Sequence, residues 1–310
     1  MIVGPTAVGK SSLANALAER VGGEIVVADS LQVYRGLDIG TAKASAEEQQ
    51  RVPHHLLDLV DPDMPFSAAD YARLARATID DIRGRGHLPI MVGGTGLYVR
   101  AFLRGLFDGP MENVSVREAL RQEATRVGVP GLHQRLQALD PEAAAAIHPN
   151  DLFRIVRALE VTTLAGRPIS AMRKESRRHH EPVCGPVLRF GLERHREELY
   201  RRIEMRVEEM LARGFLDEVR GLLDRGYSPT LRPLRAFGYR HMIEHLEGRA
   251  TLDEVVSRLK RDTRRYAKRQ LTWFRHEDGI EWCHVEGSDG VKKGLSSLAE
   301  RIEGVWARAV

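Results

Sequence analysis

Over residues 1–107, apolar positions alternate between two periods: short, almost unbroken runs, then segments with apolar residues spaced three and four apart. Ile2-Val3 is the stub of a first strand, and Ser12–Ala18 is helix-forming up to the Gly22-Gly23 pair. Glu24–Ala28 is a run suited to a buried parallel strand, and it stops at Asp29-Ser30. Ser67 and Asp70 form a capping-box pair ahead of a helical stripe of Tyr71, Leu74, Ala75, Ile79 and Ile82, which Gly84 and Gly86 close. Leu88–Val92 then reads as a strand running into Gly93-Gly94-Thr95-Gly96. Strand, loop and helix in repetition predict an α/β fold: a parallel sheet flanked by helices, with ligand sites at the carboxyl ends of the strands.

From about Val114 to Pro186 the strand period disappears, and the segment is rich in Ala, Leu, Arg and Glu. One helix starts near Ser115. Another spans Asp151–Leu164, with Asn150 as its cap and Gly166 as its stop. Val187–Leu192 restores a strand, helices follow over Glu197–Arg225 and Leu252–Trp273, and Trp282–Val285 adds a last strand. The expected organisation is therefore an α/β core of residues 1–113 and 187–310, interrupted by an all-helical insertion over 114–186.

Composition narrows the class. Hydrophobic residues make up 43% and charged residues 29% of 310, and no run approaches the ~18 apolar residues of a membrane span. No signal peptide fits before the first loop. Cys184 and Cys283 have no metal-binding spacing, which predicts a reducing, cytoplasmic setting without disulfides or zinc. Net charge is only +4, but it is clustered. Eight Lys/Arg face the single acid Asp262 between Arg258 and Arg275, and Arg173, Lys174, Arg177, Arg178, His179 and His180 form a second group. Either run alone fits a solvated face; two runs alongside the glycine-rich Gly4–Ser11 segment, G-x-x-x-x-G-K-S, which can cradle phosphates, point to a polyanion such as RNA. The pairs His54-His55 and His179-His180 lack Cys or acid partners at ligand spacing and read as packing or surface residues.

The chemistry begins at Gly4-Pro5-Thr6-Ala7-Val8-Gly9-Lys10-Ser11, a complete G-x-x-x-x-G-K-[ST] loop between a strand stub and a helix. Its backbone N–H groups can wrap a di- or triphosphate, Lys10 can reach the outer phosphate oxygens, and the Ser11 hydroxyl is placed to ligate Mg²⁺. Asp29, at the end of the second strand, has three readings: a Mg²⁺ partner through water, a general base, or a turn cap. The strand over Leu88–Val92 ends in Gly-Gly-Thr, where a hydrolase-style acidic pair is absent.

These segments occur together with Arg35–Lys43, Pro53–Asp58, Phe66–Tyr71, Gly93–Tyr98, Asn150–Glu160, Arg235–Arg240 and Ala267–Arg275, in an order and composition that span nearly the whole chain. In this set the chain resembles the bacterial tRNA dimethylallyltransferase (tRNA isopentenyltransferase) family. The resemblance implies a P-loop NTPase-like sheet with an inserted all-helical tRNA-binding region. It implies transfer of a dimethylallyl group from dimethylallyl diphosphate to the exocyclic amine of the adenosine 3′ to the anticodon, in tRNAs reading codons that begin with U. It also implies Mg²⁺ as cofactor and a monomer that grips the anticodon stem-loop. Carried over by position, Asp29 is the base, Thr95 holds the reacting groups, and Arg235 joins Lys10 and Ser11 at the diphosphate, with Gly4–Ser11 as its cradle. The tRNA would touch Asp29, Ser30, Leu31 and Gln32, then Arg117, then Phe153, Arg154, Ile155, Val156 and Arg157. Two departures stand out: only Met1-Ile2-Val3 precede the loop, and His241 stands where that family often has Gln. The residues alone also fit a P-loop small-molecule kinase or an RNA-binding ATPase.

Overall fold

The structure, a computed structural model, describes residues 1–107, 109–178, 187–285, 287, 299–301 and 304. The chain forms two compact units: Met1–Phe102 with Cys184–Val310, and Leu103–Val183. The first unit runs β1 (Ile2–Val3), α1 (Lys10–Val21), β2 (Gly23–Ala28), α2 (Ala46–Arg51), β3 (His54–His55), α3 (Ala68–Gly84), β4 (Leu88–Gly93) and α4 (Gly96–Arg104). The second contains α5 (Val114–Leu139), α6 (Pro141–Ala146), α7 (Leu152–Ala165) and α8 (Ile169–Arg178). The chain then returns with β5 (Phe190–Glu193), α9 (Arg196–Ala212), α10 (Phe215–Asp224), α11 (Tyr239–Leu246), α12 (Leu252–Arg275) and β6 (Glu281–His284).

All six strands are parallel, in the order β3-β2-β4-β1-β5-β6, and the sheet is P-loop-like. β1 lies inside the sheet, with Ile2 opposite Val92 on one side and Phe190 on the other. The connection from β1 leads to β2 on one side, and the chain later crosses from β4 to β5 on the other, which puts the ligand crevice beyond the carboxyl end of β1. Ile25, Val27, Ile90 and Val92 share a core with Leu13, Ala14 and Leu17 of α1. On the other strand face, Val26 and Met91 are equally buried.

Local chemistry sets the boundaries. Ser67 and Asp70 make the expected capping box, while Ser45 and Glu48 make another at α2, an element the sequence pattern did not reveal. Three expectations shift. β5 covers Phe190–Glu193 instead of Val187–Leu192. The cap of α7 is Asp151, whose Oδ1 accepts from the Arg154 N–H at 3.1 Å, in place of Asn150. The helix expected over Glu197–Arg225 breaks at Gly214, whose φ of 90° ends α9 and starts α10. In the second unit α5 is interrupted at Gly128 just ahead of Pro130.

At the far end of β2 from the crevice, Glu24 is 3% exposed and takes two hydrogen bonds from Arg85 and one from His55 at 2.6 Å. Those bonds, the Arg85 pair foremost, outweigh burial and hold its pKa down from 4.5 to about 2. A depressed carboxylate stabilises the fold above its unfolded pKa, and that contribution fades as pH falls through the folded value. Glu24→Gln should therefore melt earlier than the parent at neutral pH. Thermal melts across pH should show the gap closing between 4.5 and 2.

Candidate active site

The carboxyl ends of β1, β2 and β4 open into a cavity of about 710 Å³ within the first unit. Thr6, Ala7, Gly9, Lys10 and Ser11 form its phosphate-loop side; Asp29, Ser30, Leu31 and Gln32 enter from the end of β2, and Gly93 and Gly94 from β4. Gly4, Pro5 and Val8 support the loop from behind, Val8 being fully buried in the core.

The loop is held by two arginines distant in sequence and by its own lysine. Arg202 Nε donates to the Ala7 carbonyl at 2.8 Å, Arg194 Nε to that of Val8 at 2.9 Å, and Lys10 Nζ to that of Pro5 at 2.7 Å. Each peptide plane fixed through its carbonyl also fixes the N–H on its far side. The Thr6 N–H donates to Gln270 Oε1 at 2.8 Å, and Gln270 Nε2 donates to the Gly94 carbonyl at 2.9 Å. Gly94 permits this approach: a Cβ there would lie 2.2 Å from Gln270 Nε2.

Asp29 Oδ1 accepts from the N–H groups of Leu31 at 2.9 Å and Gln32 at 3.3 Å, so the turn-cap reading holds for that oxygen. Neither bond uses Oδ2. Thr95 does not line the cavity; its Oγ1 accepts from the Ser30 N–H at 3.0 Å and ties the β4 turn to the β2 turn. Tyr266 does line it, and burial with the nearby Asp29 charge raises its pKa and keeps it neutral.

Opposite Asp29 stands a set of cations. Arg202, Arg206 and Arg232 line the cavity with Lys10. Burial, with Arg206 close by, lowers Lys10 to about 7, while the charge of Asp29 works the other way. Burial likewise lowers Arg206, and Asp29 and Glu209 offset part of that. Cations crowded out of water lower one another's pKa, and a polyanion relieves both effects. Arg235, expected here, is exposed and outside the lining. Sequence reasoning missed Arg202 and Arg206, although their spacing of four puts them on one helix face.

The second unit arranges its residues differently from expectation. Glu160 is fully buried and accepts from the Asn113 N–H at 2.7 Å, Arg157 at 2.7 Å and Arg117 at 3.0 Å. Burial pushes its pKa up, but these donors outweigh that and hold it below the usual value. Arg117 and Arg157 are thus tied to an internal acid, and Ile155 and Val156 are core residues. Phe153, 70% exposed, and Arg154 remain at the surface, beside a recess lined by Arg117, Arg121, Leu152 and Val156.

The basic runs are also less bare than their sequence. Six of the eight cations between Arg258 and Arg275 pair with acids, among them Arg264 with Glu204, Lys260 with Glu208 and Arg275 with Glu193. Lys174 pairs with Glu142. Arg177, Arg178, His179, His180 and Cys184 fall outside the described side chains. His55 pairs with Glu24, and His54 bonds the Val52 carbonyl at 2.7 Å. His241 is 2% exposed; its Nδ1 accepts from the Gly238 N–H at 3.1 Å, capping α11. Among the described residues, no group of three or more His, Cys, Asp or Glu could hold a metal, and no helix is long and apolar enough to cross a membrane.

A family model described as IPP transferase matches residues 32–277. The chain belongs to the IPP transferase family. It is 52% identical over 287 residues to a tRNA dimethylallyltransferase of Geobacter metallireducens, covering 93% of this chain and 92% of that protein. The corresponding protein of Geobacillus thermodenitrificans is 48% identical over 305 residues, 98% and 96% of the two chains. The solved full-length tRNA isopentenylpyrophosphate transferase of Bacillus halodurans superposes with a TM-score of 0.70 at 42% identity, covering 99% of this chain and 96% of that one. A eukaryotic dimethylallyltransferase captured acting on tRNA gives a TM-score of 0.80 at 27% identity, covering 99% and 79%. As an IPP transferase the chain is a prenyltransferase, an enzyme of tRNA modification.

The state of Lys10 leads to a measurable proton count. With a pKa of about 7, it is mostly neutral at pH 8, and a bound diphosphate charges it. Calorimetry of inorganic diphosphate binding in buffers of different ionisation enthalpy should show the parent taking up nearly one proton more than Lys10→Met. Equal uptake would remove Lys10 from the phosphate site.

Proposed function

We propose that this chain transfers the dimethylallyl group of dimethylallyl diphosphate to the exocyclic amine of the adenosine 3′ to the anticodon, in tRNAs reading codons that begin with U. The observation that carries the reading is the facing of charges in one cavity: Lys10, Arg202 and Arg206 by the phosphate loop, and Asp29 at the end of β2. The IPP transferase match and the tRNA dimethylallyltransferases similar over nearly the full length support the same chemistry. The reaction would take place in the cytoplasm.

In this mechanism the adenine amine attacks C1 of the dimethylallyl group. The C1–O bond breaks, its electron pair leaves on diphosphate, and the amine proton passes to Oδ2 of Asp29. Lys10, Arg206 and Arg202 stabilise the departing charge in a site where fixed cations act with little screening. Arg235, exposed and off the lining, gives way to Arg206 in that role. Thr95 acts by fixing Ser30, so that the Asp29 turn keeps its place. The target base leaves its stack to enter the cavity. Ser30, Leu31 and Gln32 would meet it at the cavity wall, and Phe153 and Arg154 of the helical unit would grip the anticodon stem-loop.

The residues fit Mg²⁺ in a limited way. Ser11 is an exposed hydroxyl at the phosphate loop, and the described residues supply no carboxylate cage. That donor set suits an ion held by one hydroxyl and substrate phosphates, as Mg²⁺ commonly is. When bound, it would neutralise charge on the diphosphate.

The decisive assay follows labelled dimethylallyl diphosphate into tRNA with ATP omitted. Label in the tRNA is expected; no label, with phosphate passing from ATP to a small molecule, would establish a kinase instead. Asp29→Asn should slow single-turnover transfer by ~10²–10⁴-fold, with tRNA affinity nearly unchanged, because it removes proton acceptance at constant volume. A fall below ~10-fold would reduce Asp29 to its turn-capping bonds.

A further inference from the structure

Away from the reacting groups, one carboxylate is used in an unusual way. Glu218 of α10 accepts from three successive backbone N–H groups: Asp38 at 3.0 Å and Ile39 at 2.6 Å on Oε2, and Gly40 at 3.1 Å on Oε1. The Tyr239 hydroxyl adds a fourth bond to Oε1 at 2.7 Å. The strand and helix ladders contribute nothing here, since residues 37–45 belong to neither. Close packing reinforces the dock. A Cβ on Gly40 would lie 2.2 Å from the Phe215 ring and 2.7 Å from that of Tyr239, and those two rings meet edge to face at 5.2 Å.

The captured segment leads directly into the cavity wall. The next carbonyl, that of Thr41, accepts from Gln32 Nε2 at 3.0 Å and from Arg206 Nη2 at 3.2 Å. Gln32 and Arg206 are the residues that the proposed reaction sets against the acceptor base and the diphosphate, so any role for the loop that carries Thr41 rests on that reading. From the other side Lys43, 7% exposed, binds the Tyr34 carbonyl and the carboxylates of Asp38 and Asp58. Lys43 closes the loop on itself, whereas Glu218 ties it to α10 and α11.

We propose that Glu218 is a positioning residue for prenyl transfer: by holding the Asp38–Gly40 backbone it sets the Thr41 carbonyl, and through that oxygen the orientation of Gln32 and Arg206. Gln32 is the more dependent of the two. Arg206 is embedded beside Asp29 and Glu209, while the Gln32 amide donates to the Thr41 and Ala42 carbonyls of this same loop. The effect of Glu218 therefore falls chiefly on acceptor RNA.

The test uses the full chain with dimethylallyl diphosphate and unmodified tRNA. Glu218→Gln keeps the size and one acceptor oxygen; with that oxygen on the Asp38 and Ile39 N–H groups, the NH₂ donor faces the Gly40 N–H. It should raise KM for tRNA by ~10-fold, the loss of about one hydrogen bond to a charged group, with KM for the donor and Tm near the parent's. Combining it with Gln32→Ala should give no more than the larger single effect, because the two act in series. Tyr239→Phe, which deletes one of the four bonds and leaves the packing, should move tRNA KM the same way by less. A tRNA KM unchanged in both variants, additive effects in the double variant, or a kcat that falls and two KM values that rise together as Tm drops would each overturn the proposal. Failure of the parent to prenylate tRNA would overturn the reaction instead. Hydrogen exchange at residues 38–40 then still tests the clamp: faster exchange in Glu218→Gln supports it and unchanged exchange refutes it.

Discussion

The site depends on a single buried amide. Gln270, 6% exposed on α12, accepts from the Thr6 N–H of the phosphate loop and donates to the Gly94 carbonyl at the end of β4. Those partners lie 264 and 176 positions away in sequence. A carboxamide carries an acceptor and a donor on one planar group, so it satisfies the loop N–H and the strand-end carbonyl at once. Glu in its place would set an oxygen against the Gly94 carbonyl, and an apolar residue would leave two buried backbone groups unpaired. One residue beyond Gly94, Thr95 donates its N–H to the Ala28 carbonyl at 3.2 Å and accepts from the Ser30 N–H at 3.0 Å. The relative placement of phosphate loop and base thus follows from one hydrogen-bonded chain.

Around that frame, cations are arranged for a ligand rather than for each other. Lys10, Arg202, Arg206 and Arg232 share one concave surface with few acids, whereas the cations of α12 are mostly matched to carboxylates on neighbouring elements. Burial lowers the pKa of Lys10 and Arg206, a cost that a protein retains where binding returns it. The two kinds of arginine carry the same charge in the sequence; only their surroundings separate them.

Much of this was legible in the chain. The glycine loop, the strand ending at Asp29, the Ser67–Asp70 cap and the Gly93-Gly94-Thr95 turn are local signals, and each lies in the structure where its period and punctuation put it. Local signals failed where tertiary contact decides. Gln270 reads as one polar residue in a basic helix, and Glu218 as one acid in a charged one. The family resemblance offers Arg117 and Arg157 to the tRNA, yet the buried carboxylate of Glu160 draws both inward. The break at Gly214 was hidden because the residues on both sides favour helix, and only the left-handed backbone of that glycine divides them. The segment from Phe153 to Arg157 reads as one contact surface, but helical periodicity turns Ile155 and Val156 into the core.

The position of β1 has a consequence for how the molecule is made. This two-residue strand is flanked by β4 and β5, so its second neighbour arrives only when synthesis reaches Phe190. The arginines that hold the loop carbonyls follow at Arg194 and Arg202, and Gln270 comes later still. The phosphate loop is therefore translated first and completed last. Its ligand site belongs to the long-range, slow-forming part of the topology, where parallel pairing must bring distant segments together before any contact is gained. A ribosome-bound chain carrying every residue of the glycine loop would still lack the grip that makes the loop a binding site.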